Sequence, residues 1–187
     1  MYRFLPAILR HPIATLFGEN MQSATWYLVK SNTRPWESSY GGFLQGEYLG
    51  LGGNMWPIDE LHEELLRKRE YVRLHDGQEI FVITNIDHAR QYFNQANRLG
   101  FAAVLLEVSD PSGTRNQDGY DFGDPEGGYS LVESELLVAD RKELLTKYID
   151  RRTGLFRNLV EMQSCLDEMP DGEDLNSYYP VAIRRVE

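Results

Sequence analysis

The chain has 187 residues, 42% of them hydrophobic and 26% charged, and its 29 acidic against 19 basic residues give a formal net charge of −10. That size and composition suit one folded domain and exclude wholesale disorder, while the charge repels a phosphate backbone and argues against direct nucleic-acid binding. The single cysteine, Cys165, excludes an intramolecular disulfide, and no apolar run approaches the roughly 18 residues of a membrane span, so a soluble protein in a reducing, cytoplasmic setting is expected.

The first seventeen residues are apolar and basic, but Arg10, His11 and the prolines at 6 and 12 interrupt them. They read as part of the fold, with a transit peptide as the lesser option. Residues 24–31 (ATWYLVKS) are β-branched and aromatic enough to form a strand, ended by Asn32 and Pro35. The six glycines of residues 40–54, with Phe43, Leu44, Tyr48, Leu49 and Leu51 between them, read as a packed loop. From Pro57 to Glu70 the apolar residues Ile58, Leu61, Leu65 and Leu66 repeat at helical spacing. Residues 71–75 and 79–84 flank Asp76-Gly77 as a hairpin, because Asp-Gly supplies the positive φ of a tight turn.

Asn85 caps a helix that runs to Leu99 and stops at Gly100. The continuous apolar run FAAVLLEV (101–108) then reads as an interior strand, reached from the preceding strand by a right-handed crossover, with the core around residues 79–108. Residues 109–129 hold two Asp-Pro-x-Gly turns, at Asp110 and Asp124. Next, SLVESELLV (130–138) alternates as a strand with Glu133 and Glu135 on one side, and Asp140 with Glu143 opens a helix to about Asp150. A further helix follows Gly154 and ends at Pro170, and PVAIRRV (180–186) is a last strand. The class expected is α+β: a single domain over 1–187 with a mixed β-sheet packed by three to four helices. Residues 140–187 form, in the alternative, a C-terminal helix–strand appendage.

Most chemical motifs fail at a named position. Asp121-Phe122-Gly123 matches a kinase triplet without its companions, and Gly46 is followed by Glu47 where a phosphate loop needs Lys. Gly50-x-Gly52 has Met55 where a third glycine belongs, and His62-Glu63 has Leu66 where a second zinc histidine would sit. Asp118, Asp121 and Asp124 recur every third residue but lack the calcium-loop pattern, so no metal is expected. Cys165 falls on an apolar helical stripe and reads as a packed thiol.

Glu133-Ser134-Glu135 remains. Two carboxylates on one strand face repel, and one of them could serve as a general base or hold a ribose hydroxyl. With FVITNIDHARQYF and FAAVLLEV before it, this order over residues 79–138 resembles ADP-ribosyltransferase folds. There a Ser-Thr-Ser strand precedes a helix, and a Glu-x-Glu strand binds and activates the sugar of NAD. The Ser-Thr-Ser position here reads Ile83-Thr84-Asn85, and the strand expected to carry an arginine reads Trp26-Tyr27-Leu28-Val29-Lys30. The resemblance implies NAD as cofactor, with Glu135 orienting the nicotinamide ribose and Glu133 assisting the acceptor.

Charge supplies the preferred expectation. Residues 107–135 hold eight acids against Arg115 alone, and 161–174 hold six acids and no base. This points to a non-catalytic, cofactor-free protein that neutralises a basic protein, such as a toxin or a nucleic-acid enzyme, in the manner of a bacterial immunity protein or a phage inhibitor. Asp110, Asp118, Asp121, Asp124 and Glu126 are the partner-binding candidates. A blander alternative is an accessory subunit that uses Trp36, Tyr40, Tyr178 and Tyr179 at an apolar contact.

Overall fold

Alternation along residues 25–31 sets the first strand, β1 (Thr25–Ser31): Trp26, Leu28 and Lys30 share one face, and Tyr27 and Val29 the other. The computed structural model of the protein describes residues 24–31, 43–52, 59–74, 76–111, 116–136, 139–169 and 178–187. The other strands are β2 (Glu70–Arg73), β3 (Glu79–Val82), β4 (Ala103–Ser109), β5 (Gly119–Asp124), β6 (Tyr129–Ser130), β7 (Ile149–Asp150), β8 (Leu155–Phe156) and β9 (Tyr179–Arg185). The helices are α1 (Asp59–Arg67), α2 (Ile86–Arg98), α3 (Leu131–Leu136), α4 (Ala139–Tyr148) and α5 (Leu159–Glu168). The class is α+β, as the sequence predicts. The main sheet runs β1-β4-β9-β5-β8-β7, with β6 added to β5, and β2 and β3 form a separate hairpin.

Every pairing is antiparallel, so register fixes which side chains share a face. Trp26 lies opposite Val108 and Leu28 opposite Leu106; Val108 in turn opposes Ile183, and Val181 opposes Asp121. This face is covered by Leu74, Ile80 and Val82 of the hairpin region and by Leu49 and Leu51 of the glycine-rich segment. On the opposite face, Val29 and Leu105 meet Ala89 and Tyr92 of α2. Farther along the sheet, Tyr120, Phe122 and Phe156 pack against Leu131, Leu145, Met162 and Cys165 of the last three helices.

Several expectations hold in detail. Gly77 adopts φ 89° in the hairpin turn, and Asn85 caps α2 through its side chain. Strand β4 is interior, between β1 and β9. Others are corrected. The sheet is antiparallel, not mixed, and β3 and β4 lie in different sheets, so α2 makes no parallel crossover. Residues 119–124 form a strand inside the sheet where only turns were expected, because β9 and the glycine-rich segment pair with and pack on a strand whose own β propensity is poor. Residues 131–136 are helical, and Leu155–Phe156 are a strand, with the following helix starting only after its Asn158 cap. Within 140–187, β9 is inserted between β4 and β5 in the same sheet as β1. The N-terminal arm, Trp36, Tyr40, Ser112 and Gly113 of the Asp110 turn and the acids at 171–174 lie outside the described residues.

Asn85 offers a clean test of local design. Its Oδ1 accepts from the backbone N–H of Asp87 at 2.9 Å and of His88 at 3.1 Å on an exposed helix end. Asn85→Ala is expected to cost about 1 kcal/mol in chemical denaturation, with Asn85→Ser recovering most of it. Equal stability of all three proteins would show that the cap contributes nothing.

Candidate functional site

Two charged side chains stand at apolar positions of the main sheet. Lys30 continues the Trp26–Leu28 face of β1, and Asp121 sits opposite Val181; they are 1% and 0% exposed. Both reach the strap formed by residues 43–52. Lys30 Nζ donates to the Gly50 carbonyl at 2.7 Å and to the Gly52 carbonyl at 2.6 Å, and it lies 4.2 Å from the centre of the Tyr48 ring. Between those carbonyls, the Leu51 N–H donates to Asp121 Oδ2 at 2.8 Å. Asp121 Oδ1 accepts from Phe122 N–H at 2.8 Å and from the Ser130 hydroxyl at 2.9 Å. A peptide segment that crosses an apolar face must find partners for its polar groups, and these two side chains supply them. Close approach requires glycine at Gly123, where a Cβ would collide with the Tyr129 carbonyl and press on Leu51.

Burial raises the Asp121 carboxyl to about 6, against the opposing pull of the Leu51, Ser130 and Phe122 hydrogen bonds and of the Lys30 charge. Burial likewise pushes the Cys165 thiol up to about 12, which leaves it protonated and unreactive at neutral pH.

Beside this cluster lies a cavity of about 600 Å³. One wall is β1 from Trp26 to Val29, another is Leu65, Leu66 and Arg69 at the end of α1, and the third is the segment from Pro125 to Ser134. Among the described residues, its charged side chains are Glu126, Glu133 and Arg69, two carboxylates to one guanidinium. Arg69 lies 3.9 Å from the Glu126 carboxylate, donates to the Glu126 carbonyl at 3.3 Å and stacks on the Phe81 ring at 4.9 Å. Glu126 Oε2 also accepts from the Phe81 N–H at 3.3 Å, which ties the turn after β5 to the edge of the hairpin. Asp124 Oδ1 shapes that turn by accepting from the N–H groups of Glu126 and Gly127 at 2.9 and 2.8 Å.

The five acidic candidates are therefore dispersed. Asp110 and Asp121 are buried, at 1% and 0% exposure, and cannot meet a partner at the surface. Asp118 is exposed but stands before β5 and accepts from the Arg185 N–H at 2.6 Å, at the end of the strand opposite Asp124. Asp124 and Glu126 alone share a turn, and that turn rims the cavity. Tyr178 lines the cavity and meets Phe122 edge-on at 5.9 Å, whereas Tyr179 is a core residue. Among the described residues, no group of three His, Cys, Asp or Glu side chains could hold a metal ion, and no helix is long and apolar enough to cross a membrane.

Glu133 and Glu135 do not share a face. On a helix, residues two apart point roughly 200° apart, instead of to the same side as on a strand. Glu135 turns inward, fully buried, and pairs with Arg141 at 2.5 Å, while Glu133 faces the cavity. The residues at the Ser-Thr-Ser position serve the fold: Ile83 bridges Tyr27, the Thr84 hydroxyl bonds Glu70 and Asn85 caps α2.

The inward placement of Lys30, and of Asp121, which the charge pattern had assigned to a partner-facing surface, carries one readable signal. Lys30 falls on the Trp26–Leu28 parity, a buried phase, and Asp121 is flanked by Gly119 and Gly123 at the same phase. The cavity depends on long-range packing and has no local signal.

The Asp121 carboxyl gives a signed pH prediction. Its folded value near 6 exceeds the ordinary 3.8, so the folded state holds the proton more tightly. The stability gained from protonation is fully present below 3.8 and is lost as pH rises through 6. Relative to Asp121→Asn, the wild-type protein should gain about 1 kcal/mol of unfolding free energy between about pH 7.5 and about pH 5. A stability difference between the two that does not change with pH would contradict this reading.

No known protein family matches the chain, and no curated protein or solved structure is significantly similar to it.

Proposed function

We propose that this is a non-catalytic binding protein that neutralises a basic protein partner in a reducing, cytoplasmic setting, in the manner of an immunity protein or phage-encoded inhibitor. The observation that carries the reading is the acid-rimmed cavity. The turn of the acidic 107–135 stretch, with Asp124 and Glu126, stands at its edge, and Glu133 stands in its wall. The surface bases reinforce the sign of the field. Arg73, Arg90, Arg157 and Arg184 lie within 3.3 Å of Glu79, Glu187, Glu161 and Glu107, so their charge is met within the molecule, in a chain whose formal net charge is −10. Such a surface accelerates encounter with a cationic partner and discriminates against acidic ones.

The paired carboxylates that an NAD-using enzyme would need point in different directions, so the binding reading requires the fewest additional assumptions. Association should be salt-sensitive. Capture on the immobilised full chain at low ionic strength should retain a basic protein, and raising salt from about 0.02 M to about 0.3 M should release most of it. Glu126→Gln is expected to weaken retention by about threefold to tenfold if the turn is the contact. Retention of no specific protein, or of one indifferent to salt, would sink the proposal.

A further inference from the structure

Strands β2 and β3 pair only with each other, so their hairpin has two outer edges. In an antiparallel pair, opposed residues alternate between bonding each other and turning their backbone groups away. Two bonds fix the phase here. The Leu74 N–H donates to the Gln78 carbonyl at 2.8 Å beside the turn, and farther along β3 the Phe81 N–H turns outward to Glu126 Oε2 at 3.3 Å. Val72 and Glu70 therefore bond Ile80 and Val82, while Tyr71 and Arg73 turn their N–H and C=O groups away from β3. The β3 edge is occupied by Glu126 and by the bridge from Ile83 to Tyr27, but no described residue bonds the outward groups of Tyr71 and Arg73. This edge meets solvent: Tyr71 is 74% exposed and the Arg73 side chain 70%.

A strand edge with unmatched donors and acceptors is a template for another strand, and charged side chains ordinarily guard it. Here the guards are engaged, since Arg73 pairs with Glu79 at 2.6 Å and Glu70 accepts from the Thr84 hydroxyl. A hairpin of two strands is marginal by itself and gains from further strands. The side chains select a second copy of β2 as the added strand. Outward residues must meet outward residues, so a two-fold axis can pass at Tyr71, Val72 or Arg73. An axis at Tyr71 sets Arg73 against the partner's Arg69, and one at Arg73 sets that residue against the partner's Arg73; both oppose like charges. An axis at Val72 sets Tyr71 opposite the partner's Arg73 and Arg73 opposite the partner's Tyr71, which bonds every outward group of the strand. Across the exposed face the row then reads Phe81, Tyr71, the partner's Arg73 and the partner's Glu79. Each half of that row exists within one chain: the Phe81 and Tyr71 rings lie 4.8 Å apart, and Arg73 is held by Glu79. The added contact is a guanidinium beside a tyrosine ring.

We propose that the outer edge of β2 is the interface of a symmetric homodimer, in which Tyr71 and Arg73 bond the partner's Arg73 and the partner's Tyr71 and the two hairpins join into one antiparallel sheet. Glu126, on the cavity rim, meets the opposite edge of the hairpin, so this interface is separate from the proposed site for a basic protein and does not depend on it.

The test is sedimentation equilibrium of the full chain from about 5 µM to about 500 µM, with NMR amide exchange measured at both ends of that range. An interface this small should half-associate at about 10 to 100 µM. Two acidic chains repel, so raising salt from about 0.02 M to about 0.3 M should tighten association about threefold, opposite in sign to the release expected for a basic partner. The Tyr71 and Arg73 amides should exchange about tenfold or more slowly in the dimer, with no change at Val160, an exposed residue of α5. Tyr71→Lys, a surface substitution that keeps the bonds between β2 and β3, should weaken association about tenfold or more by setting a lysine against the partner's Arg73. A chain that stays monomeric to about 500 µM overturns the proposal. So does a dimer in which Tyr71 and Arg73 remain unprotected, or one that Tyr71→Lys does not weaken. Capture of a basic protein stands or falls separately, on its own salt dependence.

Discussion

A buried ammonium group holds this fold together at the point where its parts meet. Lys30 extends from the edge strand across an apolar sheet face and gives two short hydrogen bonds to the carbonyls of Gly50 and Gly52, while Asp121 takes the intervening Leu51 N–H from the other side. Neither charge would be tolerated alone in such surroundings. Together they let a glycine-rich segment lie across the sheet with its polar backbone satisfied. That segment then joins two cores, because Phe43 and Tyr48 belong to the helix-covered cluster and Leu49 and Leu51 to the hairpin-covered one. Its other anchors, the bonds from Gln45 N–H to the Arg151 carbonyl and from Leu49 N–H to the Thr153 carbonyl, fasten it to the turn before β8.

The same arrangement positions the cavity. Asp121 holds Ser130, which opens α3, and Glu133 stands one helical turn later with its carboxylate against Gly52. Any side chain at position 52 would collide with Glu133, so the strap and the cavity wall are fitted to one another. Glu126, three residues beyond the end of the interior β5–β9 pairing, reaches back to the Phe81 N–H and fixes the opposite rim. The acidic rim is thus tied to the strap on one side and to the hairpin on the other.

Much of the frame was legible because it follows local rules. The Asp76-Gly77 turn, the Asn85 cap and the apolar run of β4 each announce themselves within a few residues. The β5 strand did not, since Gly119, Asp121 and Gly123 all disfavour strands as isolated residues. They are required there because Leu155, the strap and the β6 backbone pack on that face. Glu133 and Glu135 mislead for the converse reason: SLVESELLV alternates like a strand, but a helix at Leu131 lets Leu131 and Val132 both enter the core and sends Glu135 to Arg141. Acid-rich composition misleads in the same way when it is read as surface, because Asp110 and Asp121 are interior.

The most direct test of this account is the unfolding free energy of Lys30→Met at neutral pH, measured together with exchange of the Leu51 amide. The substitution preserves an apolar side chain of similar length but leaves the Gly50 and Gly52 carbonyls without their donor and Asp121 without its neighbouring positive charge. The account predicts a loss of about 2 to 4 kcal/mol and a Leu51 amide that exchanges through local opening of the strap instead of global unfolding. A variant within about 0.5 kcal/mol of wild type, with Leu51 still fully protected, would contradict the claim that Lys30 organises the fold.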